Sequence, residues 1–348
     1  MIMVGAMAAA LWGIGAAMDA PKQARWTMIG LLLFGVIALQ IILPNGHPLR
    51  EATGGDARLW LLIVAFAGIA LGYRSLLRKL KARAEPVSVA PARGASFSET
   101  ELDRYARHIV LREIGGPGQK ALREAKVLVI GAGGLGAPAL QYLAAAGVGT
   151  IGVIDDDTVE NANLQRQVIH ADKNIGDPKV QSAADAMVAQ NPFVDVKTYR
   201  RRLTEDIVEE RFSEYDLILD GSDNFETRYL VNETATKLSK PLISAALTQW
   251  EGQISMYDPA TSGPCYACIF PAAPDPNLVP SCSEAGVIGP LPGVVGAMMA
   301  VEAVKAIAGA GETLRGRLMI YDALYADTRM ITLKPRHDCE VCGGKGAA

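Results

Sequence analysis

The sequence predicts an α/β fold with a doubly wound, mixed sheet, preceded by apolar helices. Three observations predict it. Short apolar runs of strand length alternate with helical stretches between Lys126 and Ala245. A glycine-rich turn joins the first of these runs to the helix after it. Charge is nearly absent from the first fifth of the chain: of 34 Lys and Arg and 37 Asp and Glu in 348 residues, only seven lie in residues 1–73. The net charge of −3 carries no basic excess, so nucleic acid is not an expected partner. The composition excludes disorder, collagen and a disulfide-stapled mini-protein.

Three apolar runs open the chain, Met1–Met18, Trp26–Leu43 and Leu59–Tyr73. A helix needs about 20 residues to cross the hydrocarbon core of a bilayer. The second run is long enough. The third is short, but Arg58 and Arg74 flank it and can snorkel to the interfaces. The first lacks the basic start of a signal peptide. Residues 1–83 therefore read as an anchor of two or three transmembrane helices. The cluster Arg74, Arg78, Lys79, Lys81 and Arg83 places the following chain in the cytoplasm of an inner or plasma membrane. Residues 84–97 are rich in Pro, Ala and Ser and read as a linker.

The folded domain is expected over 98–348. Ser98 and Glu101 form a capping-box pattern, and Phe97 and Leu102 are spaced as a hydrophobic staple for a helix ELDRYARHIVLREIG. Lys126–Ile130 is the first strand, covered on both faces. Gly131-Ala-Gly133-Gly134-Leu-Gly136 follows, then a helix to Gly147 and a second strand, Thr150–Ile154, ending at Asp155. Glycines let backbone approach a phosphate, and a helix N-terminus offers free N–H groups; this is a Rossmann-like unit for a nucleotide. Further strands are expected at Val194–Tyr199, Asp216–Leu219 and Pro241–Ala245, and an antiparallel extension at Gln253–Asp258, Arg317–Ala323 and Met330–Lys334.

The turn alone permits NAD, and an NAD-linked membrane oxidoreductase is one reading. Arg166, Lys179 and Asp223 at or beyond strand ends instead suit a polyphosphate with Mg²⁺, the cations offsetting phosphate charge and the carboxylate holding the metal. Cys265-x-x-Cys268 and Cys339-x-x-Cys342 supply four thiolates, the donor set of a structural Zn²⁺ site; a redox pair is the alternative. Cys282 is left over, after the Pro-rich stretch 271–280.

From about Arg104 to Gly343 the chain resembles the MoeB/ThiF/HesA family, E1-like adenylyltransferases that activate ubiquitin-like sulfur carriers. The resemblance rests on RYARHIVL (104–111), GAGGLG (131–136), VIDDDTVENANLQRQ (153–167), GDPKV (176–180), DLILDGSDN (216–224), EAGVIGPLPGVVG (284–296) and both CxxC pairs. The first 83 residues lie outside it. It implies ATP- and Mg²⁺-dependent adenylation of the C-terminal glycine of a MoaD- or ThiS-like carrier ending Gly-Gly, with release of pyrophosphate, and leans toward molybdenum cofactor biosynthesis.

Position by position, the resemblance implies that Gly134 meets the phosphates and Asp155 the ribose. Asn163 and Arg166, with Leu164 and Gln165 between them, line the triphosphate. Lys179 binds phosphate, Asp223 binds Mg²⁺, and Asn224 lies beside the adenosine. Arg107 reaches into the partner's site of a homodimer. Ala162 stands where relatives commonly carry Ser, and Ser222 where they carry Thr. Cys282 is the candidate sulfur-transfer thiol, or a loop thiol without a role. No rhodanese-like stretch follows, so a separate sulfur donor is expected. A non-catalytic docking platform on the same fold is the remaining alternative.

Overall fold

The computed structural model describes residues 2–18, 20–83, 96–261, 263–274 and 285–343. They form two units, Met1–Glu85 and Pro86–Ala348. Most of the expected linker, 84–95, and all of 275–284, with Cys282, lie outside the described residues.

The first unit holds α1 (Ile2–Ala17), α2 (Lys22–Ile42), the short α3 (Pro48–Ala52) and α4 (Ala57–Arg83). Val4, Val36 and Trp60 bring three of these helices together. The α2–α4 connection is closed by polar bonds. Gln40 Nε2 donates to Thr53 Oγ1 at 2.7 Å and to the Arg50 carbonyl at 2.9 Å, and Trp60 Nε1 donates to the Thr53 carbonyl at 3.0 Å. Such bonds matter most where no water can replace them. By contrast, Phe34, Ile41, Phe66 and Ile69 point outward. By length and composition α2 and α4 each contain a window able to cross a bilayer, Gln23–Ile42 and Arg58–Leu76.

The second unit opens with α5 (Glu99–Ile109) and α6 (Gly115–Glu124). The capping box forms: the Glu101 N–H donates to Ser98 Oγ, and Glu101 Oε2 accepts the Ser98 N–H. The staple does not. Phe97 packs edge-on to Tyr105 at 6.2 Å and beneath the Arg123 guanidinium at 4.6 Å, leaving Leu102 exposed. The helix expected through Gly115 stops at Ile109; turns occupy 110–114, and α6 then begins at Gly115, whose φ of 59° is left-handed.

The sheet has eight strands: β1 (Lys126–Ile130), β2 (Thr150–Ile154), β3 (Asp195–Tyr199), β4 (Leu217–Asp220), β5 (Leu242–Leu247), β6 (Glu251–Tyr257), β7 (Arg317–Asp322) and β8 (Asp327–Thr332). Their spatial order is β3-β2-β1-β4-β5-β6-β7-β8. Strands β1 to β5 are parallel and the last three pairings antiparallel, as expected for a mixed sheet. The last hairpin is tighter than its apolar residues suggest. Pairing of Asp322 with Asp327 starts β8 three residues before Met330 and ends it at Thr332.

Helices α7 (Gly136–Ala146), α8 (Lys179–Gln190), α9 (Glu205–Ser213), α10 (Phe225–Lys237), the short α11 (Tyr266–Ile269) and α12 (Pro290–Ala308) complete the unit. Alternate residues of each central strand point to opposite faces. Val127, Val129, Ile151 and Val153 join α7, α8 and α12 in one core; Leu128, Ile130, Ile154 and Ile218 join α9 and α10 in the other. Burial on both faces explains why these strands read as continuous apolar runs. Because β1, β2 and β4 are parallel, their C-terminal ends emerge along one sheet edge, which is where ligands bind in open α/β folds.

Candidate active site

The glycine turn sits at the end of β1. Gly131 has φ of 89°, and a Cβ on Gly136 would lie 1.9 Å from the Gly131 carbonyl oxygen. Gly136 is thus required for the turn to close on itself. A Cβ on Gly134 would meet Pro292 of α12 at 3.0 Å and the Arg166 side chain at 3.9 Å, so this glycine faces both the cation expected at the phosphates and the start of α12.

Asp155 ends β2 and crosses to the turn: Oδ2 accepts the Ala132 N–H at 2.8 Å and Oδ1 accepts the Asp157 N–H at 2.8 Å. Burial raises its pKa, opposed by those N–H groups and the Lys179 charge. Arg166 donates to Asn163 Oδ1 at 2.8 Å and to the Ala162 carbonyl at 3.3 Å, so the two residues expected at the triphosphate form one unit. Between them, Leu164 is half-buried and Gln165 exposed. Gln165 closely faces the Gly289 backbone at the start of α12, where a Cβ would lie 2.6 Å from its Oε1.

Lys179 begins α8. Its side chain is only 5% exposed, and Nζ bonds the 65% exposed Asp157 carboxylate at 2.8 Å. The cation is therefore held inside the site by a carboxylate at its mouth. Asp223 is exposed and makes no hydrogen bond or ion pair among the described residues, leaving both oxygens open to a cation. Asn224 is the N-cap of α10, accepting the Thr227 N–H at 2.9 Å. Arg107 projects from α5, exposed, and no bond joins it to these residues within the described chain.

The sequence reading missed the residues that brace this edge. Buried Asp220 accepts from the Ser222 N–H at 2.9 Å, the Ser222 hydroxyl at 2.6 Å and the Ser244 hydroxyl at 2.9 Å. Buried Arg228 donates to the carbonyls of Ser222 at 2.7 Å and Ala245 at 2.9 Å. Together they fix the loop that presents Asp223. His170, also buried, contacts the Ala132 carbonyl and Ser182. Asp220 lies within a quoted motif; Arg228, Ser244 and His170 carry no spacing signal.

The four expected thiolates converge. Sγ separations are 3.8 Å for Cys265–Cys268, 3.6 Å for Cys265–Cys339 and 3.5 Å for Cys268–Cys342, and all four lie within 4.8 Å of one another, buried and without disulfides. A tetrahedron of thiolates about 2.3 Å from zinc has edges of about 3.8 Å, so the residues fit that ion. The Arg336 N–H points at Cys268 Sγ at 3.4 Å, and Asn232 Oδ1 holds the Tyr266 N–H at 2.8 Å, tying the knuckle to α10. Burial pushes the Cys265 thiol up. For Cys339 burial also pushes up, but the backbone N–H groups of Cys342 and Val341 and the neighbouring thiols prevail, bringing it down to about 7.

Residues 105–341 match the ThiF family. The sulfur carrier protein adenylyltransferase of Thermus thermophilus is 49% identical over 251 residues, 71% of this chain and 93% of that protein. The SAMP-activating enzyme E1 of Haloferax volcanii is 47% identical over 251 residues, 72% of this chain and 92% of its own. Among solved structures, E. coli MccB with MccA-N7isoASN superposes with a TM-score of 0.62 at 23% identity, covering 71% of this chain and 76% of that one, a likeness of fold.

Proposed function

The chain belongs to the ThiF family, and we propose that it is an ATP-dependent adenylyltransferase acting on the C-terminal carboxylate of a ubiquitin-like sulfur carrier. The observation that carries this is the gathering of Arg166 with Asn163, Lys179 and an unpartnered Asp223 along the strand ends around a turn that bare glycine backbone closes. In this reading the carrier's terminal carboxylate attacks the α-phosphorus of ATP. A carboxylate–phosphorus bond forms, the bond to the bridging oxygen breaks, and pyrophosphate leaves. The nucleophile is already ionised at neutral pH, so no general base is needed. What opposes the step is repulsion between anions and charge building on the leaving group.

The chain's own groups answer both. Asp155 receives the ribose. The turn's N–H groups and the N-terminus of α7 face the phosphates. Lys179 and Arg166 offset charge as it shifts to the leaving pyrophosphate. Asp223 would hold Mg²⁺, which supplies charge neutralisation at the phosphates. Arg107, exposed and bonded to none of these residues within the described chain, suits the site of a second protomer in a homodimer. The four cysteines would hold Zn²⁺ with no open position, a structural role.

The first unit is read as an anchor. α1 has 16 residues, about 24 Å at 1.5 Å per residue, short of the ~30 Å hydrocarbon core. α2 and α4 then form a two-span hairpin with both ends in the cytoplasm, where the basic run after Tyr73 belongs.

The test is carrier-dependent exchange between ATP and labelled pyrophosphate, using the full-length chain in mild detergent and a β-grasp carrier ending Gly-Gly. Exchange requiring both carrier and Mg²⁺ is expected. Its absence with every Gly-Gly carrier supplied, from protein that binds ATP, refutes the reading.

A further inference from the structure

A chain of hydrogen bonds, closed through the first turn of α8, joins the glycine turn to Lys179, and two of its members, His170 and Ser182, have no ligand role above. Ala132, in the glycine turn, donates its N–H to Asp155 and has its carbonyl 2.9 Å from His170 Nε2. His170 Nδ1 lies 2.9 Å from Ser182 Oγ. Ser182 lies on α8, one turn after Lys179. Lys179 bonds Asp157, and the Asp157 N–H returns to Asp155. A carbonyl only accepts, so Nε2 carries the proton toward Ala132. In the neutral ring Nδ1 then accepts from the Ser182 hydroxyl. Burial and the nearby Lys179 charge both hold the ring neutral, opposed by its bond to Ala132 and by the Asp155 charge.

We propose that His170 is a positioning residue for ATP: as the neutral Nε2–H tautomer it spans the gap between the glycine turn and α8, setting the turn's backbone N–H groups and the Lys179 ammonium at a fixed separation for the polyphosphate. The proposal rests on the adenylation reading and adds a residue to it. His170 touches no reacting atom. It acts through Ala132, whose other backbone group is fixed by the ribose-binding carboxylate, and through the helix that carries the phosphate-binding lysine. Both of its ring nitrogens are used, and each bond leads to a different wall of the site.

The experiment compares His170→Gln, His170→Asn, His170→Ala and Ser182→Ala in the full-length chain. Calorimetry measures MgATP binding, thermal unfolding measures stability, and pyrophosphate exchange separates KM from kcat. Gln places its amide donor where Nε2 was, so it keeps the bond to Ala132; Asn reaches only the Ser182 side. His170→Gln is expected to bind MgATP within about threefold of the native chain. His170→Asn and His170→Ala are expected to bind about tenfold more weakly, equivalent to about 1.4 kcal/mol, with KM for ATP raised more than kcat is lowered. Ser182→Ala falls between. Native-like binding by His170→Ala overturns the proposal. So does a Gln variant as weak as Ala, or ATP affinity that merely follows thermal stability across the series. A native chain that binds no MgATP overturns the adenylation reading and this proposal with it.

Discussion

The three glycines at 133, 134 and 136 occupy one turn but stand in different surroundings, and replacing each with alanine separates fold from ligand. A Cβ on Gly136 meets the Gly131 carbonyl oxygen at 1.9 Å, roughly 1.6 Å inside the ~3.5 Å of comfortable non-bonded contact. That oxygen is backbone and cannot rotate away. Gly136→Ala is therefore placed at the upper end of overpacking costs, about 3 kcal/mol. For a unit of this size that lowers the thermal midpoint by roughly 6–12 °C. On Gly134 the Cβ meets Pro292 at 3.0 Å, a contact that a small shift of α12 relieves. About 1 kcal/mol and 2–4 °C are expected there. On Gly133 the nearest atom is Gln167 Nε2 at 3.7 Å, an ordinary contact. Gly133→Ala leaves stability unchanged or raises it by a few tenths of a kcal/mol, up to ~1, by restricting the unfolded chain. Any loss of MgATP binding in that variant reports approach of phosphate to bare backbone. Near-ultraviolet dichroism gives the melting order and calorimetry the binding. A Gly136→Ala chain that melts with the native protein, or a Gly133→Ala chain that is the least stable of the three, refutes the steric argument.

Lys179→Met keeps the buried stem and removes the charge, while Asp157 returns to water at little cost; pyrophosphate exchange should fall about 10²–10³-fold with the melting temperature nearly unchanged. One zinc per chain is expected by metal analysis, and stripping it with a chelator should expose four reactive thiols and lower the melting temperature, whereas a redox pair would release none. His170 is held below its ordinary value of 6.5, so on acidification below that pH the unfolded chain takes up more protons than the folded one, and stability measured by urea titration should fall. Arg228→Met leaves the Ser222 and Ala245 carbonyls without their donor; a loss of about 2–4 kcal/mol in the same titration is expected.

The sequence was most readable where one physical demand acts alone. β1 and β2 end where their apolar runs end, because burial on both faces leaves no polar residue to blur the boundary. The four-cysteine cluster follows from spacing, since thiolates have few other reasons to pair at that interval. Phe97 departs from the staple because that pattern weighs only local contacts, while Arg123 and Tyr105 offer a cation and an aromatic edge from farther along the chain. At the site, the residues expected to meet ligand sit in motifs, and so does Asp220. The other bracing residues, Arg228, Ser244 and His170, do not. Arg228 reads as a solvated helix charge until β5 brings Ser244 and Ala245 beneath it, and His170 reads as an ordinary histidine until α8 and the glycine turn close on its two nitrogens.

Helix α12 shows what hydropathy leaves open. Its window Pro290–Ala308 passes the same length and apolarity threshold as those in α2 and α4, but 44% of it is buried within its unit against 11% and 6% for the other two. Small residues explain the difference. Gly296 lies so close to α7 that a Cβ would come within 2.4 Å of Pro138 Cγ, and the bare backbone of Gly252 in β6 admits Val295. Glu302 is buried in the same helix, paired with Lys305 and accepting the Leu314 N–H at 2.7 Å. A carboxylate so placed needs protein partners, which the sheet connections supply and lipid does not. One face of α12, with Leu291, Val295 and Met299, is consumed by the fold, while Val294 and Val301 stay exposed. The apolar surface of α2 and α4 faces outward within its own unit, with Phe34, Ile41, Phe66 and Ile69 exposed. Hydropathy therefore marks three helices as apolar, and it is the partner each one meets that separates the core helix from the two candidates for the bilayer.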